Sequence, residues 1–395
     1  MNIRILHVVG DSRFGGASLG IIRLARFWKS LHWEVEVLAT DPEFCRIAQL
    51  EGVHVNGLDC IWREIRPWRD LQGLWKLFRY LRGSDYTIVH THTTKAGFVG
   101  RIAAWMAGVP VILHTAHGFA FHEASARWKI QFYCLLERMA SWDCQRVIMV
   151  SRFHEQWGRQ LRIAASEKII AIPNGIPETP RVDRITTETI RRRWGASAGQ
   201  IVLFTPGRLA PEKGLEDVID AVALLKPGFS GRLLLVIAGE GVLRPGLEQR
   251  VKERGLRPEV RFLGFQSNVP ELLAASDIVV LPTWREGLSI ALLEAMAQGC
   301  AIVTTTIGSN LEATGEGAGA LLVPPMQPRE LAAAIGRLAV DRVLCEALGA
   351  SARKLYLRHY THGRMLDGYH KLYVQLLKEL QSARSVSPVL SSLDR

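Results

Sequence analysis

Two cations and two carboxylates in the second half of the chain carry the strongest chemical signal. Ile201-Val-Leu-Phe-Thr205 runs into Pro206-Gly-Arg208-Leu-Ala-Pro-Glu212-Lys213-Gly214 and then into a helix. Arg208 stands in the strand-end loop and Lys213 at the predicted helix start. Arginine offers a planar fork and lysine a point charge, so the pair could converge on a diphosphate. A lysine at a helix N-terminus opposes the helix dipole and calls for an anion to offset it. A solvated surface pair is the competing reading.

The carboxylates belong to Glu286-Gly-Leu-Ser-Ile-Ala-Leu-Leu-Glu294, which begins in a loop and opens a buried helix. Asp277-Ile-Val-Val-Leu281 before it reads as an interior parallel strand, Pro282-Thr-Trp-Arg285 interrupts that strand, and Gly299 suits a helix stop. In an open parallel sheet such a βα turn lies where ligands bind, and its helix start offers free N–H groups to an anion. Eight residues at a helical rise of ~1.5 Å each set the two glutamates about 12 Å apart and within roughly 80° around the axis. They could then grip two ends of an extended polyhydroxylated ligand. Two solvated glutamates on a helix are the alternative.

The first half supplies weaker candidates at strand ends. Gly10-Asp-Ser-Arg-Phe-Gly15-Gly16-Ala-Ser18 is a loop whose glycines allow close approach of a phosphate, although it lacks the Gly-x-Gly-x-x-Gly fingerprint and reads equally as a tight turn. Thr115-Ala-His117-Gly-Phe119 places a histidine just past a strand, where a hydrogen-bonded loop residue is the plain alternative. His90, His92 and Lys95 near another strand end could place an acceptor phosphate, with loop hydrogen bonding the stronger reading for the histidines.

The elements that must position these residues alternate throughout between short apolar runs and helical segments, the pattern of a doubly wound α/β architecture. Predicted strands are Ile3–Val9, Val35–Ala39, Ile88–His90, Val111–His114, Val147–Val150 and Ile169–Ile172, then Ile201–Thr205, Leu233–Ile237, Val260–Leu263, Ile278–Leu281, Ala301–Thr304 and Ala320–Val323. Pro173-Asn-Gly-Ile-Pro-Glu-Thr-Pro180 ends one domain and leads to the next. The expected division is 1–175, 176–358, a C-terminal helix over 359–382 packing back on the first domain, and a disordered tail over 383–395.

With 395 residues, 48% hydrophobic and 22% charged, the chain can bury two ordinary cores. Six cysteines form no Cys-x-x-Cys pair, which points to reduced core thiols in a cytoplasmic protein and not to a zinc site. The start of the chain does not read as a signal peptide, and no apolar run reaches membrane-spanning length. A net charge of +11 favours anionic partners, but no nucleic-acid-binding pattern accompanies it. Beyond Trp62-Arg-Glu-Ile-Arg-Pro-Trp68, the residues Trp68, Leu71, Leu74, Trp75, Phe78 and Leu81 recur at helical spacing among Arg69, Lys76, Arg79 and Arg82. Such a basic amphipathic helix could lie on the anionic inner face of a membrane, pack on the first-domain sheet, or do both.

Taken together, Gly207-Arg208 with Glu212-Lys213-Gly214, Ala238-Gly-Glu-Gly241, Glu286 with Glu294, and Ala295-Met-Ala-Gln-Gly299 resemble the retaining glycosyltransferases of family 4. Thr91-His-Thr-Thr-Lys95-Ala-Gly97 and His114-Thr-Ala-His117-Gly-Phe119 resemble members that assemble bacterial surface polysaccharides. The resemblance implies a GT-B fold, two Rossmann-like doubly wound domains facing an interdomain cleft. It implies that Arg208 and Lys213 bind the donor diphosphate, that Glu286 contacts the donor sugar, and that Glu294 binds the ribose. Gly287 and the amides of Leu288 and Ser289 would meet the donor at the helix start, Gly15 and Gly16 would close over the diphosphate, and His117 would lie close to the reacting centre. Ile307-Gly308-Ser309-Asn310 and Leu288-Ser289 depart from the family pattern without removing a charge.

The expected activity is metal-independent transfer of a hexosyl or N-acetylhexosaminyl group from a nucleoside-diphosphate sugar, a substrate and not a cofactor, to a glycan or polyprenyl-diphosphate-linked acceptor. No Asp-x-Asp occurs, so Arg208 and Lys213 would do the work of a metal clamp. Retention would follow from same-face attack assisted by the departing phosphate. A noncatalytic sugar-nucleotide sensor and a nucleotide-sugar epimerase are the alternatives.

Overall fold

The computed structural model describes residues 3–390 apart from 12–13, 123–124 and 181, with the backbone alone for 384–390. Contacts divide the chain into one unit of residues 1–174 and 363–395 and a second of Gly175–His362.

The first unit is built on β1 (Arg4–Gly10), β2 (Glu34–Ala39), β3 (His54–Asn56), β4 (Ile88–His92), β5 (Val111–Ala116), β6 (Arg146–Met149) and β7 (Ile169–Ala171). All pairings are parallel, in the order β3-β2-β1-β4-β5-β6-β7. The second unit has β8 (Ile201–Pro206), β9 (Leu233–Ala238), β10 (Val260–Phe262), β11 (Ile278–Leu281), β12 (Ala301–Thr305) and β13 (Leu321–Val323), ordered β10-β9-β8-β11-β12-β13. Each unit is the doubly wound α/β fold expected from the alternating pattern. Winding reverses between β1 and β4 in one and between β8 and β11 in the other, and at such switch points the loops diverge and leave a crevice.

β3 is the strand that the apolar-run reading misses, being three residues long at a sheet edge with His54 exposed. The final helix, His362–Leu390, also differs from expectation, since it continues through most of the tail read as disordered from 383. Once its earlier turns are docked, extension costs little per residue, and no breaker stands between Ser382 and Ser387. The remainder of that tail, 391–395, lies outside the described residues.

Two-residue alternation along the first sheet separates two cores. Leu6, Val8, Val89, Ile112, Val147 and Met149 face the helices Pro67–Arg82, Thr94–Met106 and Arg127–Ala140. Ile5, Ile88, Val111, Leu113 and Ile148 face the other way, onto Leu24 and Trp28 of helix Gly16–Ser30 and onto Met365, Tyr369, Leu372, Tyr373 and Leu376 of the final helix. Tyr373 stacks on Trp28 with ring centroids 4.3 Å apart, and its hydroxyl meets Nδ1 of His90 at 2.7 Å. This contact carries the packing of the last helix on the sheet. Tyr373→Ala should therefore lower unfolding free energy by about 3–5 kcal/mol in urea titrations, and Tyr373→Phe, which removes only the hydroxyl, by about 1–2 kcal/mol.

Candidate functional site

In the second unit the loops at the switch point bring Lys213 and Glu286 together. Pro206 closes β8, Gly207 donates its N–H to Ala238 at 2.9 Å, and Leu209 donates to Glu240 at 3.0 Å. Gly239 is required here: its φ is +144°, and a Cβ would stand 1.9 Å from the Gly207 carbonyl oxygen. The Ala238–Gly241 turn is thereby fastened to the Arg208 loop.

Lys213 sits in a single 3-10 turn, Pro211–Lys213, ahead of the helix Leu215–Leu225. Gly214 joins them at φ +63°, and a Cβ would lie 2.2 Å from the Pro282 carbonyl oxygen. That close approach brings the loop after β8 onto the loop after β11. The Trp284 amide and the Thr283 hydroxyl donate to the Glu212 carbonyl at 2.8 and 2.9 Å, and the Trp284 indole donates to Asp217 at 2.9 Å. Across this seam the Lys213 ammonium is ion-paired with the Glu286 carboxylate, both about one-fifth exposed. The anion that a lysine at this position calls for is thus a carboxylate of the chain itself. Arg208 pairs with Glu212 at 3.0 Å and remains half exposed on the same loop.

Glu286 lies in the loop and not on the helix, which spans Ile290–Gln298 with Ser289 as its N-cap. The helical spacing expected for Glu286 and Glu294 therefore does not apply: the strand exit, with Thr283 and Trp284 both hydrogen-bonded to the Glu212 carbonyl, keeps the chain in loop before helix can begin. Glu294 is half-buried on the helix itself. Ser289 accepts the Leu292 N–H at 3.4 Å, and Gly287, Leu288 and Ser289 are buried. Ser309, in the segment that departs from the family pattern, donates its hydroxyl to the Glu286 carbonyl at 3.2 Å, so this departure supports the loop.

In the first unit Gly15 precedes helix Gly16–Ser30, with its N–H accepted by the Ser18 hydroxyl at 3.2 Å. Its φ is −176°, open to any residue, and nothing within 4 Å would meet a Cβ, so neighbouring protein atoms do not dictate glycine there. His117 follows β5 and is half-buried. Lys95 pairs with Asp70 at 2.6 Å and donates to the Glu64 carbonyl, which ties it to the helix Pro67–Arg82.

His90 and His92 correct the sequence reading. Both belong to β4 and are fully buried. They lie on one sheet face because they are two residues apart, and His7 of β1, paired in register with His90, joins them. Nδ1 of His7 is 3.0 Å from Nε2 of His92, and Nδ1 of His92 is 3.2 Å from Nε2 of His117. His90 meets the hydroxyls of Tyr373 and Thr115, each at 2.7 Å. On the opposite face, Nδ1 of His114 lies 3.0 Å from the Thr91 hydroxyl. The sequence reading overlooked His7, since a histidine inside an apolar run looks like strand filler; its register with His90 was the missing signal. Burial pushes His7 down to about 3 and His117 to about 4, and holds His90, His92 and His114 well below the usual imidazole range.

Comparison with known proteins decides the family. The glycosyl transferase 4-like domain model matches residues 15–175, and the glycosyl transferases group 1 model matches 186–355. The alpha-D-kanosaminyltransferase of Streptomyces kanamyceticus is 36% identical over 366 residues, 85% of this chain and 92% of the relative. The chain belongs to the family 4 glycosyltransferases. Another relative, the UDP-Gal:alpha-D-GlcNAc-diphosphoundecaprenol alpha-1,3-galactosyltransferase of Escherichia coli, is 30% identical over 263 residues, 66% of this chain and 68% of that protein. HepE of Anabaena, solved with UDP and glucose, superposes with a TM-score of 0.82 at 21% identity, covering 94% of this chain and 99% of that one, which shows a shared GT-B fold.

The buried imidazoles of this glycosyltransferase give it an acid sensitivity of definite sign. They stay neutral when folded but protonate when unfolded, so stability is complete above the unfolded pKa near 6.5 and is lost as pH falls below it. At pH 5.5 each of the fully buried histidines should cost about 1.4 kcal/mol relative to pH 7.5, with loss continuing toward pH 4, measured by urea unfolding across the series.

Proposed function

We propose that this glycosyltransferase is retaining and metal-independent, taking a hexosyl or N-acetylhexosaminyl group from a nucleoside diphosphate to a lipid-linked glycan. The observation that carries the reading is the Lys213–Glu286 ion pair at the β8/β11 switch point, with Arg208 on the same loop. A sugar held by its anomeric carbon on a diphosphate leaves as charge builds on the phosphate oxygens. Preorganised cations stabilise that charge more than the ground state, and Arg208 with Lys213 supplies two positive charges where other transferases place a metal.

In this reading Glu286 contacts the donor sugar beside the reacting carbon, Gly287 lies against the donor, and the amides of Leu288 and Ser289 at the helix start meet phosphate oxygens. Glu294 binds the ribose hydroxyls. Gly15 and Gly16 admit the diphosphate closely, and His117 hydrogen-bonds the transferred sugar. The departing phosphate takes the acceptor's proton on the same face, so no side chain is required as a covalent nucleophile.

A lipid-linked acceptor fits the surface of the first unit. On helix Pro67–Arg82, Leu77 and Leu81 are buried and Leu74 and Phe78 pack on the core, whereas Trp68, Leu71 and Trp75 point to solvent. The expected apolar stripe thus divides between sheet and surface. A second row that the sequence reading missed lies on helix Arg127–Ala140 and just beyond: Trp128, Phe132, Leu135, Met139 and Trp142, the last 82% exposed. Helix Thr94–Met106 packs between the two helices, so both rows belong to one layer. Tryptophans interspersed with Arg69, Lys76, Arg79, Arg127 and Lys129 match an anionic membrane interface. Among the described residues no helix is long and apolar enough to cross a membrane. We assign the protein to the cytoplasmic face of the membrane as a peripheral enzyme.

Lys213→Ala and Glu286→Ala should each reduce transfer by about 100-fold or more with the circular dichroism spectrum retained. Transfer is measured over a panel of nucleotide sugars with polyprenyl-diphosphate glycans. Nucleotide binding without turnover in the wild-type protein would favour a sensor instead, and a changed sugar configuration in the donor alone an epimerase. In vesicle flotation the protein should bind phosphatidylglycerol-rich membranes over phosphatidylcholine, and Trp68→Ala with Trp128→Ala should weaken that binding on the order of tenfold.

A further inference from the structure

We propose that Glu212 and Glu286 hold the two diphosphate-binding cations of the second unit when no donor is bound, and that Glu286 thereby makes the site distinguish a sugar-bearing nucleoside diphosphate from the bare one left after transfer. The discrimination rests on the functional reading above, which gives Arg208 and Lys213 to the diphosphate and Glu286 to the sugar; the two ion pairs do not depend on it.

Each cation already has an anion. Arg208 is paired with Glu212 at 3.0 Å, and Lys213 is paired with Glu286. The pairs differ in what it costs to part them. Arg208 and Glu212 lie four residues apart with the arginine half exposed, so water solvates both groups once they separate, and the pair is worth little. Lys213 and Glu286 come from loops 73 residues apart and are each only about one-fifth exposed, so neither is well solvated alone. An anion that takes Lys213 therefore leaves the Glu286 carboxylate in need of other partners.

What that anion carries with it decides the outcome. A bare nucleoside diphosphate offers phosphate oxygens to Lys213 and no donor to Glu286, and it adds negative charge beside the carboxylate. A nucleotide sugar brings the same oxygens together with sugar hydroxyls that donate to Glu286, and hydrogen bonds to an ionised acceptor are stronger than neutral ones. Glu286 thus disfavours the bare diphosphate relative to the donor. Once the sugar has been passed on, the same carboxylate competes again for Lys213 and favours release of the diphosphate.

A purely structural clasp is the competing explanation of the Lys213–Glu286 pair. The two loops, however, are fastened by other contacts. The Trp284 amide and the Thr283 hydroxyl donate to the Glu212 carbonyl at 2.8 and 2.9 Å, and the Trp284 indole donates to Asp217 at 2.9 Å. The backbone of Glu286 is held separately, its carbonyl accepting the Ser309 hydroxyl at 3.2 Å. Its carboxylate can leave Lys213 with both loops still in place.

The test is calorimetric titration of the full-length protein with UDP, GDP, ADP and TDP and with nucleotide sugars of each base. For the nucleotide that the wild type binds best, Glu286→Gln should bind the bare diphosphate about tenfold tighter or more and its nucleotide sugar by a clearly smaller factor. Glu212→Gln should tighten both by about two- to threefold and leave their ratio unchanged. Glu286→Asp keeps the charge but draws it back from Lys213, so it should shift the ratio in the same direction by a smaller factor; it carries the test where the glutamine variant does not fold. Unchanged or weaker binding of the bare diphosphate in a folded Glu286 variant overturns the proposal. An equal gain for both ligands, as simple charge repulsion would give, also overturns it. In a wild type that transfers sugar, either outcome leaves the functional reading standing, whereas a protein that binds none of these nucleotides removes both.

Discussion

The Lys213–Glu286 ion pair is the interaction on which the second unit's site depends, because it is made between loops that the sheet order forces apart. β8 and β11 are neighbours, but the helices following them lie on opposite sides of the sheet, so their loops diverge as they leave it. Gly214 removes the side chain that would keep them separate, and Glu212 gives its carbonyl to Thr283 and Trp284. The charges close the seam. Both are only about one-fifth exposed, so either one left alone would be a poorly solvated charge. A diphosphate reaching Lys213 must therefore compete with a carboxylate already in place, and an incoming sugar must offer Glu286 hydrogen bonds that offset the loss.

Much of the architecture was legible because it rests on local patterns. Ile201–Thr205 and Ile278–Leu281 are apolar runs too short for helices, and both are central parallel strands. Gly299 ends its helix in a left-handed conformation, as a residue without a side chain allows. β3 left no comparable mark, since it has three residues, stands at an edge, and pairs only with β2. The family resemblance rested on charged residues and glycines because they occur at fixed distances from strand ends.

The candidate site was legible by residue type but not by partner. Nothing in the spacing of Arg208 and Lys213 reveals that one turns to Glu212 and the other to Glu286, since that choice depends on a loop more than seventy residues away. His92 was left outside its strand, and both His90 and His92 were read as loop-bonded, for a related reason. Histidine at a predicted strand end reads as polar, hence as loop, yet His7 and His92 hydrogen-bond to each other and His90 is met by Tyr373 and Thr115. A buried polar residue is cheap only when its partners are present, and these come from β1, β5 and the final helix. The sequence separations range from 25 to 283 residues.

The same final helix explains why the histidine layer and the chain terminus are coupled. Tyr373 stacks on Trp28 with its ring face and meets His90 with its hydroxyl, while Tyr369 reaches Thr115 at 3.1 Å. An all-apolar helix would leave His90 and Thr115 facing hydrocarbon; a fully polar one would forfeit the contacts with Ile5, Leu24 and Ile88. Tyrosine meets both demands because its ring is apolar and its tip is not. With His90 satisfied in this way, its nitrogens are withdrawn from His7 and His92, and those two are free to align toward His117. The packing of the last helix and the hydrogen-bonding state of a strand-end histidine are in this sense one structural choice.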